Sequence, residues 1–338
     1  QPGIGCPVTD LVPVFQQAYD QGARVHNNSW NDNENAAIQN TYTDASEDVD
    51  QFIWDNPEFL IVFGAGNQGL SGPGKIGSPG TSKNGMSVGA TYTDIYADNL
   101  ADISSWGPTD DGRIKPDVLS PGQAPWSANN DFDVTTGNCD FVSKSGTSMA
   151  SPGVAGAALL LRQYFEEGWY PSGAPTSADG FVPSAALVKA MLVNSAVSIK
   201  WDNQGTPITI PAIQQGWGRI LLDNAMHFAG DGRGLWIDEN ATGFSGPGDA
   251  PVNYVVEVLD SSEPLKVTLA WTDYPSTPAA TTHLVNDLDL RVDGATASYW
   301  GNAFRDGTSW NLGDVDRLNN LEQVLIENPT PGIYSIQV

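Results

Sequence analysis

The chain has 338 residues, with 40 Asp or Glu against 15 Lys or Arg and a formal net charge of -25. That balance repels nucleic acid and anionic membranes, and it suits an exported, solvent-facing protein or one that binds calcium. Forty per cent apolar residues and 11 Trp imply folded cores, and the length admits two domains; Cys6 and Cys139 are too few for a disulfide framework, and no apolar run is long enough to cross a membrane.

The sequence opens QPGIGCPVTD, without Met and without a basic or apolar leader, which reads as a processed end or a boundary. Residues 11–23 predict a helix ended by Gly22, and RVHNNSW a strand and turn. The spacing of apolar residues over 45–56 predicts a second helix. PEFLIVFGAGN is a short apolar strand entering a glycine-rich turn, and residues 85–90 form another strand. From Ser148 to Glu166, Met149, Val154, Ala155, Ala158 and Leu159 mark a buried helix with Pro152 in its first turns. Residues 183–196 make one more helix with a proline start. Strands alternating with helices indicate a mostly parallel α/β sheet.

The texture changes after about residue 230. PVNYVVEVLD, PLKVTLAWTD, NDLDLRVDG, VLIENP and GIYSIQV are short β-branched runs between Gly, Pro, Asp and Asn, the signature of an antiparallel β-sandwich. The division falls in GDGRG, giving domains at 1–231 and 232–338.

The stretch SKSGTSMASP (143–152) puts Gly146 before Thr147 and Ser148 at a helix start, where backbone N–H groups are free. Such a place suits a nucleophile whose reaction generates an oxyanion. The residues alone read as well as a plain helix cap followed by proline.

GTSMASP is similar to the nucleophile motif of the subtilisin-like serine proteases. NNSW (27–30), GAGN (64–67), SPGTSKNGMSVGAT (78–91), SSWGPTDDGRIKPDVLSPG (104–122) and QGWGRILLDNA (215–225) resemble further blocks of that family in its order. With WTDYPST and LVNDLDL after them, the chain resembles most nearly the oxidatively stable alkaline subtilases, which carry a β-sandwich behind the catalytic domain. The resemblance implies a subtilisin-like parallel sheet with flanking helices, N-terminally incomplete, followed by a jelly-roll-like sandwich. It implies Ser148 as nucleophile and Asn67 as the side-chain donor to the oxyanion. It further implies that His26, Asn27, Asn28, Ser29, Trp30 and Asn31 form an edge that pairs with a peptide substrate. Ala65 and Gly66 then form the far wall of the pocket for the residue before the scissile bond (P1). Asn31 stands where the family often has Gly, so either a left-handed backbone there or a side chain at the pocket entrance is expected. PGIG (2–5) would lie on the peptide's far side.

The family's catalytic Asp and His precede its serine in chain order, in D-[ST]-G and HGTH blocks, and neither block occurs here. The three histidines, His26, His227 and His283, have other settings. The expectation is therefore a processed fragment, with Asp and His supplied by a separate N-terminal piece of the same protease and the isolated chain inactive and unstable. The competing reading is a non-catalytic, subtilase-like binding or inhibitory protein. Asp273, Asn286, Asp287, Asp289, Asp293, Asp314, Asp316, Asn319, Asn320 and Glu322 supply hard oxygen ligands. Solvated loop acids explain them equally well from local sequence. The resemblance favours a structural Ca²⁺ on Asp287, Asp289, Asn320 and Glu322. The whole then reads as a secreted serine endopeptidase acting on protein or peptide, with no nucleic-acid or membrane partner.

Overall fold

The first elements in the computed structural model are α1 (Val12–Asp20) and β1 (Val25–Asn28); residues 10–32, 37–131, 133, 135–137, 139–240, 242–246 and 248–338 are described. The nominated segment PGIG and Cys6 lie outside the described residues; Cys139 is exposed. Helix α1 stops at Gln21, and Gly22 takes φ +93° directly after it, as the sequence predicts. Next come α2 (Asp44–Asp55), β2 (Leu60–Gly64), β3 (Met86–Thr91) and β4 (Val118–Pro121). The four strands form one parallel sheet in the order β1-β2-β3-β4, with Val25 opposite Leu60, Val62 opposite Met86 and Val88 opposite Val118. Every residue of β2 and β3 is buried, which is why these strands read as continuous runs rather than alternating ones.

A hairpin, β5 (Trp126–Ala128) and β6 (Phe141–Ser143), leads into α3 (Thr147–Glu166), the helix that packs across the sheet. Ala150, Val154, Ala157, Ala158, Leu161 and Phe165 recur at helical spacing and are its buried face. Helix α4 (Ala185–Ser195) follows, with the Ser184 hydroxyl accepting Leu187 N–H as its N-cap. These elements share one large core, on which Leu235 and Ile237 also pack.

The rest is antiparallel: β7 (Asn253–Val258), β8 (Leu265–Ala270), β9 (Arg291–Asp293), β10 (Ser298–Trp300), β11 (Phe304–Arg305), β12 (Thr308–Ser309), β13 (Leu321–Ile326) and β14 (Gly332–Gln337). One sheet runs β10-β9-β14-β7 and β13 pairs with β8. Leu290, Val292, Tyr334 and Ile336 from the first meet Val324, Val267 and Leu269 from the second in a separate core, which makes a β-sandwich. The run NDLDLRVDG yields strand only at Arg291–Asp293; Asp287 and Asp289 stand in the loop before it and Asp293 ends the strand.

The two parts meet through Leu321 and Ala270, which pack on the large core, and through polar groups. Lys83 and Asp273 form a fully buried ion pair. The His283 ring stacks on Tyr42 at 4.3 Å between centroids. Lys266 donates to the carbonyls of Asn194 and Ala196 at the C-terminal end of α4, and its burial pushes the ammonium down to about 8.

Candidate active site

Parallel strands deliver their loops to one edge of a sheet, the carboxyl edge, where α/β proteins place their sites. Residues 29–31 follow β1 and residues 65–67 follow β2, and the N-terminus of α3 arrives between them. The approach is close. A Cβ on Gly64 would lie 2.9 Å from Thr147 Oγ1 and 3.2 Å from the Thr147 carbonyl, so glycine is what lets strand and helix meet. Thr147 then ties them together: its hydroxyl accepts Gly66 N–H at 3.1 Å, and its N–H donates to Asn67 Oδ1 at 2.9 Å.

That last bond orients the Asn67 amide. With Oδ1 held by Thr147, its NH₂ end has no acceptor among the described residues, and neither has the Ser148 N–H. Both donors border one spot. A Cβ built on Gly146 would stand 3.5 Å from Ser148 N and 3.7 Å from Asn67 Nδ2, so the missing side chain leaves a space lined by two free N–H groups. The 20-residue helix α3 points its positive end there, with no acidic residue in its first turn. The arrangement can hold a negatively charged oxygen beside the Ser148 hydroxyl.

Pro152 completes the geometry. Lacking an N–H, it leaves the Ser148 carbonyl without its helical partner, and the Ser29 hydroxyl donates to that oxygen at 2.9 Å. In return the Ser148 hydroxyl donates to the Ser29 carbonyl at 3.0 Å. Ser148 therefore gives its proton to a backbone oxygen, which cannot act as a base.

The histidines are occupied elsewhere. The His26 ring packs edge-on against Phe15 and beside Phe59, its Nδ1 meets the Asn28 amide at 2.9 Å, and burial holds it below the usual histidine range. His227 Nδ1 meets the Arg233 carbonyl, and His283 lies buried on Tyr42 with Nδ1 on Ser276.

Of the residues nominated for substrate, Ser29, Asn31, Ala65 and Gly66 gather around Ser148 and Gly64. His26 and Asn28 turn their side chains inward, Asn28 donating to Val62 O, so only their backbone remains for a peptide. Asn27 is exposed and donates to Ser29 Oγ. Trp30 is 46% exposed and stands edge-on to Phe63 at 5.5 Å. Asn31 does not take a left-handed backbone; its amide folds back to donate to Gly64 O at 2.7 Å. Thr147, the residue that orients Asn67, was visible only as the neighbour of the serine.

In the sandwich, Arg317 bridges Asp287 at 2.6 Å and Asp289 at 3.4 Å. Asp289 Oδ1 and Glu322 Oε1 are buried without a partner among the described residues. Burial first, then Asp316, Asp289 and Asp287, push the Glu322 carboxyl up to about 9. Asn320 is directed elsewhere, donating to Asn84 Oδ1 and Trp271 O in the contact between the two parts. Asp110, Asp111 and His283 also bring ligand-capable atoms within 4.8 Å, but Asp111 is held by Arg113 at 2.9 Å.

The sequence pattern of the Subtilase family matches residues 5–218. Over 430 aligned residues the chain is 29% identical to the Serine protease/ABC transporter B family protein tagA of Dictyostelium discoideum, covering 98% of this chain and 24% of that protein. Pyrolysin of Pyrococcus furiosus is 32% identical over 167 residues, which cover 42% of this chain and 11% of that protein. Among solved structures, the S41 Psychrophilic Protease is 26% identical over 64% of each chain, with a TM-score of 0.43. The chain spans about a quarter of the length of the tag proteins. With its parallel sheet, its serine at the start of α3 and its match over residues 5–218, the chain belongs to the subtilase family.

Proposed function

We propose that the chain carries the nucleophile and the oxyanion site of a serine endopeptidase. The observation that carries this is the pair of unaccepted donors, Ser148 N–H and Asn67 Nδ2, flanking one open spot beside the Ser148 hydroxyl. In the reaction, Ser148 Oγ attacks the scissile carbonyl, whose oxygen takes up the negative charge between those donors. Collapse of that adduct breaks the C–N bond, the amine half leaves with a proton, and water then hydrolyses the acyl-enzyme on Ser148, restoring its hydroxyl. Ser29–Asn31 offer the peptide a backbone edge, and Ala65, Gly66 and Asn31 enclose the P1 side chain. Exposed Trp30 beside small residues favours sizeable apolar P1 groups.

The proton on Ser148 needs a base, and the settings of His26, His227 and His283 argue against all three. The base and its acidic partner come, in this reading, from an N-terminal piece of the same protease. Two surfaces near Ser148 suit such a partner. The outer edge of β1 has no pairing strand among the described residues, whereas β4 is covered by residues 218–220. The outward side of α3 presents Pro152, Gly153, Gly156, Leu159 and Leu160, with Leu159 and Leu160 56% and 54% exposed. A parallel sheet is ordinarily extended and covered at such places.

A structural Ca²⁺ fits Asp287, Asp289 and Glu322, because a hard divalent cation would satisfy the two orphaned carboxylate oxygens and bring Glu322 into its charged form. Asp316 is the added candidate, and Asn320 drops out of the set. The motif order and the sandwich support the likeness to the oxidatively stable alkaline subtilases, a division near residue 231 and an extracellular setting. A non-catalytic binding role is favoured by one observation, the Ser148 hydroxyl resting on Ser29 O.

Labelling the native preparation with a fluorophosphonate probe, followed by peptide mass spectrometry, separates these readings. A label on Ser148 with a co-purifying His-bearing piece supports the protease. An unlabelled Ser148 in a preparation that contains that piece leaves the binding role.

A further inference from the structure

The most deeply buried contact between the two parts of the chain leads back to the P1 pocket. Lys83 Nζ meets Asp273 Oδ2 at 2.5 Å and also donates to the Tyr274 carbonyl. Asn84 joins the same contact: its Nδ2 donates to Asp273 O at 2.8 Å, and its Oδ1 accepts Asp273 N–H at 2.8 Å and Asn320 Nδ2 at 3.1 Å. Asp273 is fixed from the sandwich side as well, by Val285 N–H, Asn286 N–H and Asn286 Nδ2. From α2, Asp50 accepts the N–H groups of Lys83 and Asn84.

Lys83 and Asn84 end a short segment whose start, Gly77–Ser78, stands at the pocket. Gly77 N–H donates to Ala65 O at 2.9 Å, and Ser78 O accepts Asp32 N–H at 2.8 Å. Asn31 lies against the same backbone: a Cβ on Gly77 would fall 2.5 Å from Asn31 Oδ1. The wall and the anchor are thus the two ends of residues 77–84.

We propose that Asp273 is a positioning residue: through Lys83 and Asn84, the sandwich fixes Gly77–Ser78 against Asn31 and Ala65 and so sets the shape of the P1 pocket. The assignment rests on the endopeptidase reading. Its physical basis is directional. A buried ion pair stabilises a fold little better than an apolar pair of similar size, because desolvating the charges offsets their attraction. What the ion pair adds here is fixed geometry, since the Asp273 and Asn84 side chains between them join five main-chain groups and the Lys83 ammonium.

The test is the double variant Lys83→Met with Asp273→Leu, which leaves neither charge unpaired, although Val285 N–H, Asn286 N–H and Asn286 Nδ2 lose their acceptor and Tyr274 O its donor. Hydrogen exchange at the Gly77 and Asp32 amides should rise about tenfold or more in the folded variant. In the active assembly, the ratio of kcat/KM between large and small P1 residues should shift by roughly tenfold, through KM more than kcat, as expected for displaced binding groups. Unchanged exchange together with an unchanged P1 profile overturns the proposal. If the double variant does not fold, Asn320→Ala, which removes the donor to Asn84 Oδ1 and to the Trp271 carbonyl but touches neither charge, should move both readings in the same direction, and no movement overturns the proposal. Should the wild-type assembly cleave no peptide, the endopeptidase reading fails, and the exchange measurement still decides the role of Asp273.

Discussion

Pro152 gives no N–H to the carbonyl of Ser148, and the Ser29 hydroxyl takes the vacant place at 2.9 Å. The loop after β1 is thereby fastened to the N-terminus of α3 by a side chain for which Pro152, four residues past Ser148, makes room. Ser29→Ala should leave that carbonyl to solvent and cost about 0.5–1 kcal/mol in a denaturant titration. The rate of fluorophosphonate labelling at Ser148 in the assembled protein should fall with it. A variant of unchanged stability and unchanged labelling would remove Ser29 from this role.

Asn67 serves two masters, and a substitution can separate them. Its Oδ1 holds Thr147 N–H, while its NH₂ end faces the spot beside Gly146. Asn67→Asp keeps the acceptor, adds a negative charge at a helix N-terminus and deletes the donor. Stability should hold or rise slightly, while kcat falls by about 10²–10³, the magnitude found for the equivalent oxyanion donor in subtilisin. Equal losses of stability and kcat would mean that the amide is only a cap. Steady-state kinetics and thermal unfolding on the same sample decide between them.

Much of this was legible in the sequence where the signal is local. The helix over Ser148–Glu166 declares itself by the spacing of Val154, Ala155 and Ala158, although Leu159, read with them as buried, is 56% exposed; β2 declares itself by an unbroken apolar run ending at Gly64. Strand β4 and the β5–β6 hairpin were not foreseen, since three- and four-residue strands between prolines and glycines carry no periodicity to read. The contact of Lys83 with Asp273 joins residues far apart in the chain, and nothing near either residue signals it. The same limit applies to Asn320. The resemblance of LVNDLDL followed by NNLE to a family pattern suggested a ligand, yet β13 pairs Leu321 with Ala270, which carries Asn320 toward Asn84 and Trp271 instead. His26 was read as no base from its place before NNSW; that its ring packs on Phe15 is a tertiary fact the sequence does not carry.

Glu322 makes the sandwich sensitive to pH when it holds no metal. Its folded carboxyl is pushed up to about 9 from an ordinary 4.5, chiefly by burial. A raised carboxylate favours the folded state only while protonated. Stability is therefore full below about pH 4.5 and declines as pH rises toward about 9, by a few kcal/mol at most. Calcium should reverse the trend, because metal binding requires the deprotonated form. The expected result is a thermal midpoint that falls from pH 5 to pH 9 in chelator and stays level or rises in calcium. Glu322→Gln should flatten the chelator curve and abolish the calcium effect. A midpoint that ignores calcium at every pH would dismiss the site.

The exposed stripe on α3 gives the proposed N-terminal piece a specific seat to test. Leu160 is 54% exposed and lies in a row with Pro152, Gly156 and Leu159 that carries no charge, on the helix that begins at Ser148. Leu160→Glu touches little in the chain itself, so its own stability should stay within about 0.5 kcal/mol, as for ordinary surface changes. In a docked interface the same carboxylate would be buried without a partner, at a cost of several kcal/mol. Association with the His-bearing piece should then weaken by roughly a hundredfold or more, and Ser148 labelling should fall in proportion to the unassembled fraction. Sedimentation of the mixed pieces measures the first and mass spectrometry the second. Wild-type assembly by Leu160→Glu would place the partner elsewhere and leave the open edge of β1 as its remaining seat.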